Sequence, residues 1–131
     1  MALKSRENVI VAVDAMFLPD HSIIAQNLYF WAYTVIIENL SLDSVQLLFR
    51  RWRIIDANGD ITGVEGEGVI GEQPIIDPGK YYQYSSGTYL KTTSGVMLGQ
   101  YEMLNMETKK QFFVQIPTFS LDSPYELHLK S

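Results

Sequence analysis

The segment Gly66-Glu67-Gly68-Val69-Ile70-Gly71 reads G-x-G-x-x-G. In a dinucleotide-binding fold such a segment follows a strand, opens a helix and turns backbone N–H groups and the helix dipole toward a pyrophosphate. Here Glu72-Gln73-Pro74 follows and leads into another strand, not a helix. Asp56, Asp60, Glu65, Glu67, Glu72 and Asp77 lie between Ile54 and Gly79 with no Lys or Arg among them, a charge pattern that repels phosphate. The ordinary reading of Gly66, Gly68 and Gly71 is a structural loop, in which glycine permits tight turns or close approach of strands. They remain a candidate anion or nucleotide loop, because successive backbone N–H groups can form a nest around an anion.

The same acidic stretch offers oxygen ligands to a divalent cation, but it lacks the spacing of a Ca²⁺ loop, and no metal ligand set can be named. Arg50, Arg51, Trp52 and Arg53 form the one basic cluster. On an extended strand Arg50 and Trp52 share a face with Leu48 and Ile54, while Arg51 and Arg53 share the other with Val45, Leu47 and Phe49. Arg50 is expected to pair with a carboxylate or to stack beside Trp52. Interfaces favour Trp, Tyr and Arg, so Arg50, Trp52, Tyr82 and Tyr84 are the candidate partner-binding residues, against a bland alternative of core packing. His21 and His128 stand near opposite ends of the chain, and no G-x-S-x-G, H-E-x-x-H or P-loop is present. No catalytic residue is identified, the chain is expected not to be an enzyme, and no cofactor is implied.

These groups sit in a chain of 131 residues with a net charge of −5 and no cysteine. That length is one domain, residues 1–131, large enough to bury a core without staples. Disulfides, thiolate zinc sites and cysteine nucleophiles are excluded. The acidic balance argues against nucleic acid and anionic membranes as partners. The longest run free of charge and histidine, Ser22 to Ile37, falls short of the about 20 apolar residues of a bilayer-spanning helix. Alternation from Val9 to Leu18 reads as a strand and not as a signal peptide, so a cytoplasmic location is expected. Without a secretory signal the glycosylation match Asn39-Leu40-Ser41 is taken as chance.

About a third of the residues are β-branched or aromatic, and no apolar pattern of helical period is sustained. The pattern predicts strands at Asn8 to Leu18, Asn27 to Asn39, Val45 to Asp56, Asp60 to Val64, Lys80 to Leu90 and Gly95 to Leu104. A further strand from Gln111 to Ile116 extends past Pro117 to Leu121. Asn58-Gly59 predicts a hairpin joining the third and fourth strands. Asp77-Pro78-Gly79 predicts a type II turn, and Gly87 predicts a bulge. Tyr125, Leu127 and Leu129 suggest a short extra edge strand. The expected fold is all-β, an immunoglobulin-like or fibronectin III-like antiparallel β-sandwich of seven to eight strands. A closed Greek-key barrel is the alternative. Exposed strand edges in such a fold could pair two copies as a homodimer.

A set of spaced motifs also carries a resemblance. They are Arg50-x-Trp52-x-Ile54-x-Asp56-x-x-Gly59, Val64-x-Gly66-x-Gly68-Val69-x-Gly71-Glu72-Gln73-Pro74 and Pro78-Gly79, then Tyr84-x-Ser86-Gly87, Gly95-x-Met97-x-Gly99-x-Tyr101-x-Met103 and Ile116-Pro117-x-Phe119-x-Leu121. Over Val9 to Pro124 the chain resembles the ApaG (CorD) domain family. The resemblance implies a fibronectin III-like sandwich, a non-enzymatic protein-interaction module with an unidentified protein partner, and an association with cobalt resistance and magnesium efflux. Its glycine motif, proposed in the family to take pyrophosphate or nucleotide, maps to Gly66, Gly68 and Gly71. Two departures stand out: Arg51 replaces a common histidine between Arg50 and Trp52, and the turn from Asn105 to Lys110 lacks an expected glycine.

Overall fold

A computed structural model describes residues 8–125. Its strands are β1 (Val9–Phe17), β2 (Tyr29–Asn39), β3 (Val45–Asp56), β4 (Ile61–Glu67), β5 (Ile75–Ile76), β6 (Tyr81–Leu90), β7 (Ser94–Asn105) and β8 (Gln111–Asp122). They form two antiparallel sheets, β1-β2-β6 and β4-β3-β7-β8, with β5 pairing the start of β3. This is the all-β sandwich the alternation predicts. Tyr125 stacks on Phe17 and Tyr29 instead of extending a sheet. Leu127, Leu129 and His128 lie outside the described residues. Among the described residues no helix is long and apolar enough to cross a membrane.

The core follows from period-2 patterning. Tyr29, Trp31, Tyr33, Val35 and Ile37 all point inward from β2, and Met97, Tyr101 and Met103 point back at them from β7. Two irregularities re-aim the larger sheet. Leu48 is an extra residue between the Leu47–Met103 and Phe49–Glu102 pairs. Such a bulge flips the inward parity of the strand. Val45 and Leu47 therefore face the core together with Trp52 and Ile54, not with Arg51 and Arg53 as strict alternation requires. On β8 the register shifts at Pro117-Thr118, where a proline without an N–H costs no ladder bond, and the inward set passes from Val114 and Ile116 to Phe119 and Leu121.

The predicted bulge at Gly87 is absent: β2 and β6 pair without a register shift, Ala32 opposite Gly87. Gly87 is there because the Phe30 ring lies over it, where a Cβ would collide. The β3–β4 hairpin forms as predicted, closed by Gly59 N–H to the Asp56 carbonyl at 3.0 Å with Gly59 at φ +87°. At Asp77-Pro78-Gly79, Lys80 N–H donates to the Asp77 carbonyl at 3.0 Å and Gly79 takes φ +79°, the type II geometry. One end of the sandwich is tied by two buried asparagines. Asn39 donates to the carbonyls of Asp43 and Ile76 and accepts from Ser41 N–H, each at 2.9 Å. Asn105 accepts from the N–H groups of Glu107 and Thr108. With its amide fully buried and committed, Asn39 is not a glycosylation acceptor in the folded chain.

Candidate functional site

The glycine segment straddles a strand end and a tight turn. Gly66 still belongs to β4 opposite Arg50, and its missing side chain leaves room for the Arg50 guanidinium, 2.9 Å from where a Cβ would stand. Gly68 takes φ +59°, and a Cβ there would fall on the Glu72 carbonyl. Ile70 and Gly71 follow at φ +50° and +74° and make a two-residue turn. Val69 and Glu72 close it with reciprocal N–H to carbonyl bonds of 2.8 and 3.0 Å. Positive φ at both central positions defines the type I′ hairpin, in which a β-branched residue such as Ile70 is strained.

This geometry fixes where the loop's polar groups go. Gly68 N–H donates to the Leu48 carbonyl at 2.8 Å, and the Val69 and Glu72 N–H groups are spent across the turn. Arg50 donates Nη1 to the carbonyls of Gly68, at 2.9 Å, and Glu67, at 3.2 Å. Its expected carboxylate partner is thus replaced by backbone oxygen, because the loop turns its carbonyls, not its amides, toward the cation. No helix follows Gly71.

The candidate partner-binding residues separate. Trp52 is only 2 % exposed, wedged between Tyr33, Tyr101 and Phe119 with ring centroids 5.5, 6.4 and 6.0 Å away. Tyr84 is buried too, its hydroxyl bonded to that of the fully buried Tyr101. Of the four expected partner-binding residues, Trp52 and Tyr84 point between the sheets, where large rings fill the layer, while Arg50 and Tyr82 are half-buried at the edge of that layer. Burial pushes the Tyr84 hydroxyl up to about 12, opposed by its hydrogen bond with Tyr101 and by the charge of Arg50. Burial raises Tyr101 further, assisted by Tyr84. Tyr82 stands at the rim and donates to Glu72 Oε2 at 3.1 Å; loss of water contact and that carboxylate both raise it. Arg50, Tyr84 and Ile70 border a hollow of about 170 Å³ beside the glycine turn.

The carboxylates of the acidic segment go to separate places. Asp56 accepts from the N–H groups of Asn58 and Asp60, Asp77 from the Ser44 hydroxyl, and Glu65 faces Arg51 at 3.9 Å. No group of three or more His, Cys, Asp or Glu side chains able to hold a metal ion occurs among the described residues.

Alternation did not reveal the surfaces that are exposed. The outer face of the β1-β2-β6 sheet presents Ile10, Met16, Ile36, Tyr81 and Tyr89 to solvent. A shallow groove of about 300 Å³ there is lined by Ile10, Ala12, Ile36 and Tyr81 together with Glu38 and Gln83. The signal lay in the non-core parity of β1, β2 and β6, where apolar side chains recur on both faces.

A model of the ApaG domain matches residues 19–105. The chain belongs to the ApaG family. It is 47 % identical over 119 residues to Protein ApaG of Methylocella silvestris, covering 91 % of each chain. It is 51 % identical over 114 residues to Protein ApaG of Brucella canis, covering 87 % of each. A crystal structure from Bordetella pertussis, described as an ApaA protein, superposes with a TM-score of 0.86 at 36 % identity, over 89 % of this chain and 94 % of that one. The family resemblance carried by the spaced motifs is thereby established, and the bulges and glycine turn described above belong to an ApaG sandwich.

Proposed function

We propose that the chain is a protein-interaction module that acts in the cytoplasm and engages its partner through the outer face of the β1-β2-β6 sheet. ApaG membership supports a non-enzymatic module. The observation that carries the reading is the run of exposed apolar side chains on that face, from Ile10 and Ile36 to Tyr81, around a groove that Glu38 and Gln83 also line. Contiguous apolar surface of this kind on a soluble chain is a mark of a binding face.

The glycine-loop reading, with pyrophosphate or nucleotide as ligand, has less support. Three of the loop's N–H groups are already bonded within the protein, and its arginine is turned to backbone carbonyls. A role in cobalt or magnesium homeostasis would run through the partner, since the acidic side chains are dispersed.

The test is capture from extract by immobilised protein, with Ile36→Lys and Tyr81→Glu as variants. Both sites are exposed, so both variants should keep the wild-type melting temperature. A partner retained by wild type and lost by both variants supports the reading. Retention unchanged in both, or saturable binding of pyrophosphate or Co²⁺ to purified protein that is lost on changing Gly68, would overturn it.

A further inference from the structure

The larger sheet ends in β4, an edge strand that pairs with β3 alone and whose side chains are exposed from Ile61 to Glu65. Edges of this kind are normally blunted by charged side chains, above all lysine, or by proline or a bulge. β4 has no lysine, proline or bulge; its charges are Glu65 and Glu67, and Gly63 stands beside its middle residue, Val64.

On the outer face, Arg51 stands opposite Glu65 and Arg53 opposite Gly63. The two arginines are used differently. Arg51 faces Glu65 at 3.9 Å and lies over the Phe49 ring at 5.2 Å. Arg53 has Gly63 on one flank and Leu98 on the other, and no carboxylate partner among the described residues. Gly63 has ordinary strand backbone, and a Cβ there would meet nothing within 4 Å. Neither a turn nor a close contact inside the chain requires this glycine. It leaves the approach to Arg53 open from the strand edge.

A second copy supplies what is missing. Two β4 strands paired antiparallel about Val64 place Val64 against Val64, and residue 65 of each against residue 63 of the other. Glu65 of the partner subunit then stands beside Gly63, two strand spacings (about 10 Å) from the Arg53 backbone. Glutamate and arginine side chains laid toward each other cover that span when no side chain stands between them. Each row across the junction reads Arg51, Glu65, Gly63 and then the partner's Arg53, so every Glu65 lies between its own Arg51 and the arginine of the other copy. We propose that the chain forms a two-fold dimer through its β4 edges, centred on Val64 and held by reciprocal Glu65–Arg53 pairs across Gly63. The proposal is independent of the small-sheet face and survives if that face proves inert.

Pairing one short edge buries less than the about 1,200 Å² of a standard interface, so the dimer is weak and concentration-dependent. Sedimentation equilibrium from about 10 µM to about 1 mM spans the regime for such affinities. Wild type should associate reversibly. Gly63→Val should raise the dissociation constant at least tenfold while keeping or raising the melting temperature, because a β-branched residue suits an open strand position. Arg53→Glu and Glu65→Arg should each behave as monomers alone. Mixed one to one they should associate, since both cross-subunit pairs are then of opposite charge. Ile10→Glu, on the other sheet, should dimerise as wild type does. A monomeric wild type, a Gly63→Val dimer of unchanged strength, an unrescued mixture or a dimer broken by Ile10→Glu would each overturn the proposal.

Discussion

The hydroxyl pair between the sheets makes an asymmetric prediction. Tyr101 is fully buried, and its hydroxyl is hydrogen-bonded to that of Tyr84, which borders the hollow beside the glycine turn. Tyr101→Phe removes one bond but leaves the Tyr84 hydroxyl beside a hollow large enough for water. Only the net worth of a hydrogen bond is lost, about 1 kcal/mol. Tyr84→Phe instead strands the fully buried Tyr101 hydroxyl, and a stranded buried polar group costs about 1–3 kcal/mol. The second variant should therefore lose more, about 2 kcal/mol, while the double variant, with no stranded Tyr101 hydroxyl, should be more stable than Tyr84→Phe alone. Urea unfolding followed by Trp fluorescence at neutral pH gives the four free energies of the cycle. Equal losses from the two single variants, or strictly additive losses in the double variant, would refute the desolvation reasoning.

The same pair sets an alkaline limit. The Tyr84 hydroxyl rises from an ordinary 10 to about 12 on folding, so the native state holds its proton where the unfolded chain releases it. Stability from this group is complete below pH 10 and falls between pH 10 and 12 by about 2–3 kcal/mol; pH-dependent urea midpoints should show the decline, reduced in Tyr84→Phe. Trp52→Ala opens a cavity among Tyr33, Tyr101 and Phe119 and should cost about 3–5 kcal/mol; a loss under 1 kcal/mol would contradict the burial of Trp52. Gly68→Ala meets both a left-handed backbone and the Glu72 carbonyl. It should cost more than the about 1–2 kcal/mol of the backbone term alone, whereas Gly71→Ala, with open space around it, should cost only that term; equal losses would show the turn free to shift.

The strands were legible because their boundaries are written in turn chemistry. Asn58-Gly59 and Pro78-Gly79 close the turns their residue types demand, and the β2 and β7 alternations face the core throughout. What escaped was parity. A bulge leaves no residue signature as strong as Asn-Gly, so the extra Leu48 shifted Val45 and Leu47 to the face of Trp52 unseen. The burial of Trp52 and Tyr84, two of the four candidate partner-binding residues, was hidden for a related reason. Trp, Tyr and Arg are the preferred residues of interfaces and also of a wide aromatic core, and only burial separates the two. Glycine was ambiguous in the same way: Gly87 marks a ring overhead, Gly66 an arginine alongside and Gly68 a left-handed turn. One residue type reports three different local demands.

Arg50 shows why the glycine motif can persist without a bound phosphate. A strained type I′ turn holding Ile70 at positive φ needs support from outside itself. Arg50 supplies it by gripping the two carbonyls that lead into the turn, and Gly66 exists to let the guanidinium lie flat against β4. On this account the Arg50–glycine constellation is a single fold element in which cation and backbone carbonyls satisfy each other. Arg50→Lys then becomes informative. Lysine is shorter and lacks the planar group that lies along β4 beside Gly66, whose missing side chain makes room for it, so the turn should loosen, and amide hydrogen exchange should quicken at Val69 and Glu72, whose N–H groups close it. Unchanged exchange at those two amides would mean that the hairpin stands by itself and that its arginine is free for another task.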